Sequence, residues 1–207
     1  MSAGTTEIAN LALSHVGEEA IMDLTDENNA VARLVTTVFI PTIKEVGRDH
    51  EWNCLRARAN IPQVLPVPAF GYDFAYQLPV NCLRVLRLNG RDIQERTDLY
   101  DIEGRRLLTN ATVAKIQYIE YTSDTTVYDA LFIECVALRL AGKLATIIRQ
   151  DEALGNQLKQ EYLQVALPRA RKVDGNERNK APYDPREKSR VLNARRLGTW
   201  AGSVEVD

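Results

Sequence analysis

Apolar residues recur at helical spacing toward both ends of the chain and at alternate positions in its middle, and this change of period divides the sequence into parts. Near the N-terminus Ile8, Leu11, Ala12 and Val16 mark one helix face, with Thr5 or Thr6 as cap and Gly17 as stop. Residues 18–29 read as a polar connection, in which Asp26-Glu27-Asn28-Asn29 supplies further cap candidates. A longer helix is predicted from about Ala30 to about His50, with Val31, Leu34, Val35, Val38, Thr42 and Val46 on one face. Pro41 falls inside it. Proline lacks an N–H and crowds the preceding turn, so a kink or a break into two helices is expected there.

After residue 60 the pattern becomes extended. Ile61-Pro62, Leu65-Pro66 and Val67-Pro68 each restrict the residue before proline to extended conformations. Leu83 and Val85 alternate with polar neighbours, and Asn89-Gly90 predicts the tight turn of a hairpin. Residues 100–108 and 113–121 read as further strands, giving a small antiparallel sheet of four or five strands. Helical spacing returns after Asp124, where Phe132, Val136, Leu140, Leu144 and Ile147 form a seam suited to bundle packing. Ala137, Ala141, Gly142 and Ala145 leave room for a neighbour to come close. A last helix is expected from about Asp151 to Ala170, carrying Leu154, Leu158, Tyr162 and Val165, with Pro168 near its end. Val173–Pro185 has three apolar residues in thirteen, too few to fold alone.

The expected architecture is α+β and mainly helical. An antiparallel helical bundle (1–60 and 124–171) carries an inserted small antiparallel β subdomain (61–123) and an extended C-terminal arm (172–207). Deleting 173–207 is then expected to leave the body folded.

Composition and charge narrow the functional classes. The chain of 207 residues can bury a sizeable core, and its formal charge of −2 gives no reason to expect wholesale nucleic-acid binding. The charge is uneven: Arg171–Gly198 holds nine Lys/Arg against four Asp/Glu, whereas residues 1–170 hold 17 against 22. A basic arm on an acidic body suits nucleic acid or an acidic protein surface. No apolar run reaches the roughly 18 residues of a membrane span, and Met1–Thr6 lacks the charge and apolar order of a signal peptide. Cys54, Cys82 and Cys135 are three in number, widely spaced and set among apolar residues, as expected of buried thiols in a reducing compartment.

Candidate chemistry is sparse. His50 and Cys54 stand four apart and could face one way, but two ligands make an incomplete metal site, and a helix-end histidine beside a buried thiol is the better reading. Phosphate-cradling glycine loops, nucleophile elbows and Cys-x-x-Cys pairs are absent from the sequence. Glu18-Glu19 and Asp26-Glu27 read as solvated loop charges, and no catalytic, cofactor or metal residue is assigned. Trp52 can be an interface anchor or can close the bundle where the long helix meets the insertion, and the second is favoured. Arg58 is placed at the edge of that subdomain junction, with Tyr72, Phe74 and Tyr76 alternating along an extended face packed on it. In the arm, Leu192, Leu197 and Trp200 return as apolar anchors flanked by Arg190, Arg195 and Arg196, a composition suited to docking on a partner.

Several of these runs together resemble one family. Ile40-Pro41, Trp52-Asn53 with Arg58, Phe70-Gly71-Tyr72 through Tyr76-Gln77-Leu78-Pro79, and Cys82-Leu83-Arg84-Val85 begin the likeness. Glu103-Gly104-Arg105-Arg106-Leu107-Leu108-Thr109-Asn110, Ile116-Gln117-Tyr118 and Tyr128-Asp129-Ala130-Leu131-Phe132 complete it. Over about residues 5–170 the sequence is similar to the tail tubular protein A family of short-tailed bacteriophages. The resemblance implies a non-enzymatic head-to-tail adaptor without cofactor, made in the host cytoplasm and built into the virion. Such adaptors form a ring, commonly of twelve copies, between the portal protein ring and the tail nozzle protein. Genome DNA passes through the ring without specific binding. The resemblance further implies that the helical domain packs the ring, that the β-rich domain faces the tail, and that the C-terminal segment embraces the portal; Arg190, Leu192, Arg195, Arg196, Leu197 and Trp200 would then be the portal-binding residues. The alternative is a DNA-binding regulatory protein that uses the basic arm.

Overall fold

A computed structural model describes residues 4–92 and 100–177, and in these the chain is α+β and mainly helical. Two compact units divide it, Met1–Asp174 and Gly175–Asp207, and the contacts below lie within the first.

The first helix, α1 (Thr5–Val16), begins under Gly4 instead of a threonine: Glu7 Oε2 accepts the Gly4 N–H at 2.8 Å. Gly17 stops it, at φ 74°, with its N–H turned back to the carbonyls of Leu13 and Ser14. Asn29 caps α2 (Ala30–Asp49) by accepting from the N–H groups of Val31 and Ala32. This helix runs unbroken past Pro41, so of the two expected outcomes, a kink or a break, the break does not occur. Pro41 and Thr37, whose carbonyl loses its usual donor, are both exposed, and water can satisfy the freed group. The buried face of α2 is Ala32, Val35, Phe39, Thr42, Ile43 and Val46, rotated from the predicted one so that Leu34 is largely exposed.

The central helix, α3 (Ala130–Ile148), is capped by Asp129 and buries Phe132, Val136, Leu140 and Leu144; Ile147, the last member of the predicted seam, is exposed. It packs on α1, α2 and α4 (Glu152–Glu161). At Gly142 and Gly155 the last pair comes very close: a Cβ on Gly155 would lie 2.7 Å from Thr146 Oγ1 and 3.0 Å from the Gly142 carbonyl. Across the α2–α3 contact Lys143 Nζ donates to Glu45 Oε2 at 2.6 Å and to Thr42 Oγ1 at 3.0 Å, and Arg139 Nε donates to Glu45 Oε1 at 2.8 Å. Partial burial pushes the Glu45 carboxyl pKa up, but the two cations outweigh it and hold it below its ordinary value.

From α4 the chain passes through a π-helical turn, Tyr162–Ala166, into α5 (Leu167–Asn176). The Leu167 N–H reaches the Tyr162 carbonyl, a widened turn immediately before exposed Pro168. Helix therefore continues to Asn176, where an extended arm was expected from residue 172.

Two four-stranded antiparallel sheets replace the single predicted one. The first joins β1 (Arg56–Ile61), β8 (Ala114–Glu120), β4 (Cys82–Leu88) and β5 (Arg91–Asp92), in that order. The second joins β2 (Gln63–Val64), β3 (Phe74–Gln77), β7 (Arg106–Thr109) and β6 (Tyr100–Glu103). The predicted hairpin forms at Asn89-Gly90, with φ 51° and 83°, and sets Leu88 opposite Arg91. Ile61, Val85, Leu88, Ile116 and Tyr118 of the first sheet share a core with Tyr76, Leu78 and Leu107 around the second. Leu86 and Ile119, however, belong to the helical core, so the first sheet is shared between two cores.

Candidate functional site

Helix α2 ends at a buried joint. Trp52 is 1% exposed; its Nε1–H donates to the Val46 carbonyl at 2.8 Å, and its ring meets Phe132 and His50 edge-on at centroid distances of 5.0 and 5.1 Å. This places it inside the helical core. Asp174, from the stretch predicted to be arm, is buried beside it. Its Oδ2 lies 2.9 Å from His50 Nε2, its Oδ1 accepts the Asn53 N–H at 2.8 Å, and its backbone carbonyl accepts from Asn53 Nδ2 at 2.8 Å. Two more bonds tie the C-terminal helix to α2: Arg171 Nη2 donates to the Asp49 carbonyl at 2.6 Å, and Tyr162 Oη–H donates to Asp49 Oδ2 at 2.5 Å. Burial first, and the Asp49 acceptor second, raise the Tyr162 phenol pKa. A deletion beginning at 173 would therefore remove a contact of the body itself.

Burial pushes the Cys54 thiol up to about 11, whereas a metal needs the thiolate. Among the described residues no group of three His, Cys, Asp or Glu side chains could hold an ion.

The other predicted junction residues divide between two places. Tyr76 lies in the core shared by the sheets and partly buried Phe74 packs against it, with ring centroids 6.5 Å apart, and Tyr76 Oη–H donates to the Ala111 carbonyl at 2.7 Å. Tyr72 Oη–H donates to Asp101 Oδ2 at 2.9 Å. These aromatics are held by β7 and its neighbours, because β3 pairs with β2 and β7 and not with the strand that follows Trp52. Arg58 is exposed on β1. Arg190, Leu192, Arg195, Arg196, Leu197 and Trp200 lie outside the described residues.

Arg58 also lines a crevice that local spacing does not reveal. Residues paired across antiparallel strands point to the same side. Register aligns Arg58, Gln117 and Arg87 across β1, β8 and β4, and sets Asn60 opposite Lys115. At the Ile119 end this face is covered by helices; beyond Gln117 it opens into a crevice of about 510 Å³ lined by these five residues with Gly90 at its edge. Arg58, Arg87 and Lys115 form no ion pair among the described residues. Gln117 is only 9% exposed, and its side-chain amide has no hydrogen-bond partner among them. The alternation in Arg56-Ala57-Arg58 and Lys115-Ile116-Gln117 was the available signal, but it is informative only once the register is known.

Apolar side chains also stand in solvent. Phe70 is 88% and Val80 92% exposed on the loops of the β subdomain, with Leu65 nearby in sequence, and Met22 is fully exposed between α1 and α2. No helix among the described residues is long and apolar enough to cross a membrane. No protein-family model matches this chain, and no curated protein matches it either.

Proposed function

We propose that this chain is a structural virion protein, a head-to-tail adaptor whose copies form a ring between a portal and a tail nozzle around the DNA channel. The observation that carries this reading is the exposure of Phe70 and Val80 within and beside the runs that resemble tail tubular protein A. Large apolar side chains held out on ordered loops favour a surface completed by a partner, and aromatic anchors are the residues such interfaces spend their binding energy on. The excess of acidic residues over 1–170 further suits a channel component, since a basic wall would hold DNA through many phosphate contacts. The basic composition of 171–198 suits attachment to a carboxylate-bearing portal surface.

The test is sedimentation of the purified chain with and without a portal ring. The full chain should travel with the portal, and a chain ending at Glu177 should stay folded but fail to attach. Failure of the full chain to join any portal ring removes the proposal. The DNA-binding alternative makes the opposite prediction: tight, salt-sensitive retardation of short duplex DNA by the isolated protein at physiological salt.

A further inference from the structure

We propose that the basic crevice on β1, β8 and β4 receives the α1–α2 loop of a second copy of this chain, so that copies join head to tail. The inference deepens the adaptor reading by naming the surfaces through which a ring would close. It rests on that reading only for the expectation that copies associate.

Chemistry within the crevice points to a carboxylate. Two guanidinium groups flank the Gln117 amide along one cross-strand row, Arg58, Gln117 and Arg87, with Lys115 one step further along the same face. A carboxylate entering the row would accept from both arginines and from the unpartnered Gln117 amide, and charge-assisted bonds of this kind are stronger than neutral ones.

The same chain carries the complement. In the loop between α1 and α2, Glu19, Asp23, Asp26 and Glu27 are exposed and lack ion-pair partners among the described residues. Neighbouring cations are otherwise engaged: Arg149 lies 3.5 Å from Glu18, and Arg33 Nη1 donates to the Glu27 backbone carbonyl at 2.6 Å. The loop is ordered by its own bonds, Asp23 Oδ1 accepting the Thr25 N–H at 2.8 Å and Asp26 Oδ1 the Asn28 N–H at 2.9 Å. Met22, next to Asp23 in the chain, is fully exposed, an apolar knob that a crevice of about 510 Å³ has room to take. No ion pair joins loop and crevice within one chain, so the two surfaces are free to meet between chains. A contact between two different patches is heterologous, and such contacts propagate into a closed ring when the rotation closes. Nucleic acid is the less suitable occupant: three cations neutralise few phosphates, and residues 1–170 around them carry 17 basic against 22 acidic groups.

The experiment is a charge swap read by sedimentation velocity of the full chain over a range of concentration and salt. Wild type should self-associate, less so as salt rises. Arg58→Glu with Arg87→Glu, and separately Glu19→Lys with Glu27→Lys, should each weaken association at least tenfold with unchanged circular dichroism. The chain carrying all four changes should associate with itself again, an outcome that mere unfolding cannot produce. A carbodiimide should join Lys115 of one isotopically marked copy to a loop carboxylate of another. Overturning results are association unaffected by either pair, no recovery in the fourfold variant, or no such cross-link in concentrated free protein and in portal-bound copies alike. Duplex DNA binding that is lost with Arg58→Glu and Arg87→Glu while self-association persists would assign the crevice to phosphates and also overturn it. Portal attachment by wild type is measured separately, so failure of this contact is distinguishable from failure of the adaptor reading.

Discussion

Replacing Asp174 by alanine removes the acceptor that ties the C-terminal helix to the end of α2. Both carboxylate oxygens are used, one by His50 Nε2 at 2.9 Å and one by the Asn53 N–H at 2.8 Å, and the side chain is 10% exposed. A hydrogen bond to a charged group is worth about 1.5–3 kcal/mol, and the donors left behind sit in a half-buried joint where water compensates for only part of the loss. Against this, a carboxylate in the last turn of a helix opposes the helix dipole, and removing it returns about 0.5 kcal/mol. The Asn53 Nδ2 bond to the Asp174 backbone carbonyl survives the substitution. The balance is a loss of about 3 kcal/mol, which at an m value of about 2 kcal/mol/M lowers the urea midpoint by about 1.5 M. Asp174→Asn, which keeps an acceptor for the Asn53 N–H, should lose about half as much. Equilibrium urea unfolding followed by tryptophan fluorescence reads both, since Trp52 stands beside His50. A loss below about 0.5 kcal/mol would show that Asp174 does not hold the joint and leave Arg171 and Tyr162 as the groups that hold the helix.

Trp52→Ala should cost about 4 kcal/mol by emptying a fully buried site and orphaning the Val46 carbonyl, measured by the same unfolding; a near-neutral result would return Trp52 to the role of interface anchor. Gly155→Ala should destabilise by about 1–2 kcal/mol despite alanine's better helix propensity, because its Cβ would meet the Gly142 carbonyl at 3.0 Å; a rise in the melting temperature would show that α3 and α4 can part freely. Burial pushes Cys54 and Cys82 up to about 11 and Cys135 up to about 12, from an ordinary value of 9.0. The unfolded chain then releases these protons first, so the stability they contribute is complete below about pH 9 and is lost as pH rises through 11 to 12. Urea midpoints taken from pH 8 upward should fall over that window, and replacing all three cysteines by alanine should flatten the slope.

Local signals carried much of this structure. Gly17 ends α1 because only the left-handed region closes that turn without strain, and Asn89-Gly90 takes the two positive φ values a two-residue hairpin requires. The seam from Phe132 to Leu144 and the small residues at Gly142 needed no more than the helical period. What escaped was set by distant partners. Pro41 sits at an exposed position of α2 and Pro168 follows a widened turn, features of burial and of the helix path that local spacing does not show. Asp174 looks like any solvated acid in a polar stretch until His50 and Asn53 arrive from more than a hundred residues away. The two sheets could not be told from one, because β3 finds its partner in β7 across the whole hairpin between them. The Arg58, Gln117 and Arg87 row is likewise invisible until β1, β8 and β4 are aligned.

The adaptor proposal stands or falls most directly on single-particle imaging of portal rings incubated with excess full chain. An added ring of density is expected at one end of the portal, its mass a whole multiple of the 23.3 kDa chain, with one subunit's β1–β8–β4 face against its neighbour's α1–α2 loop. Portals that remain bare at every concentration, or that acquire scattered single copies without ring order, would contradict it.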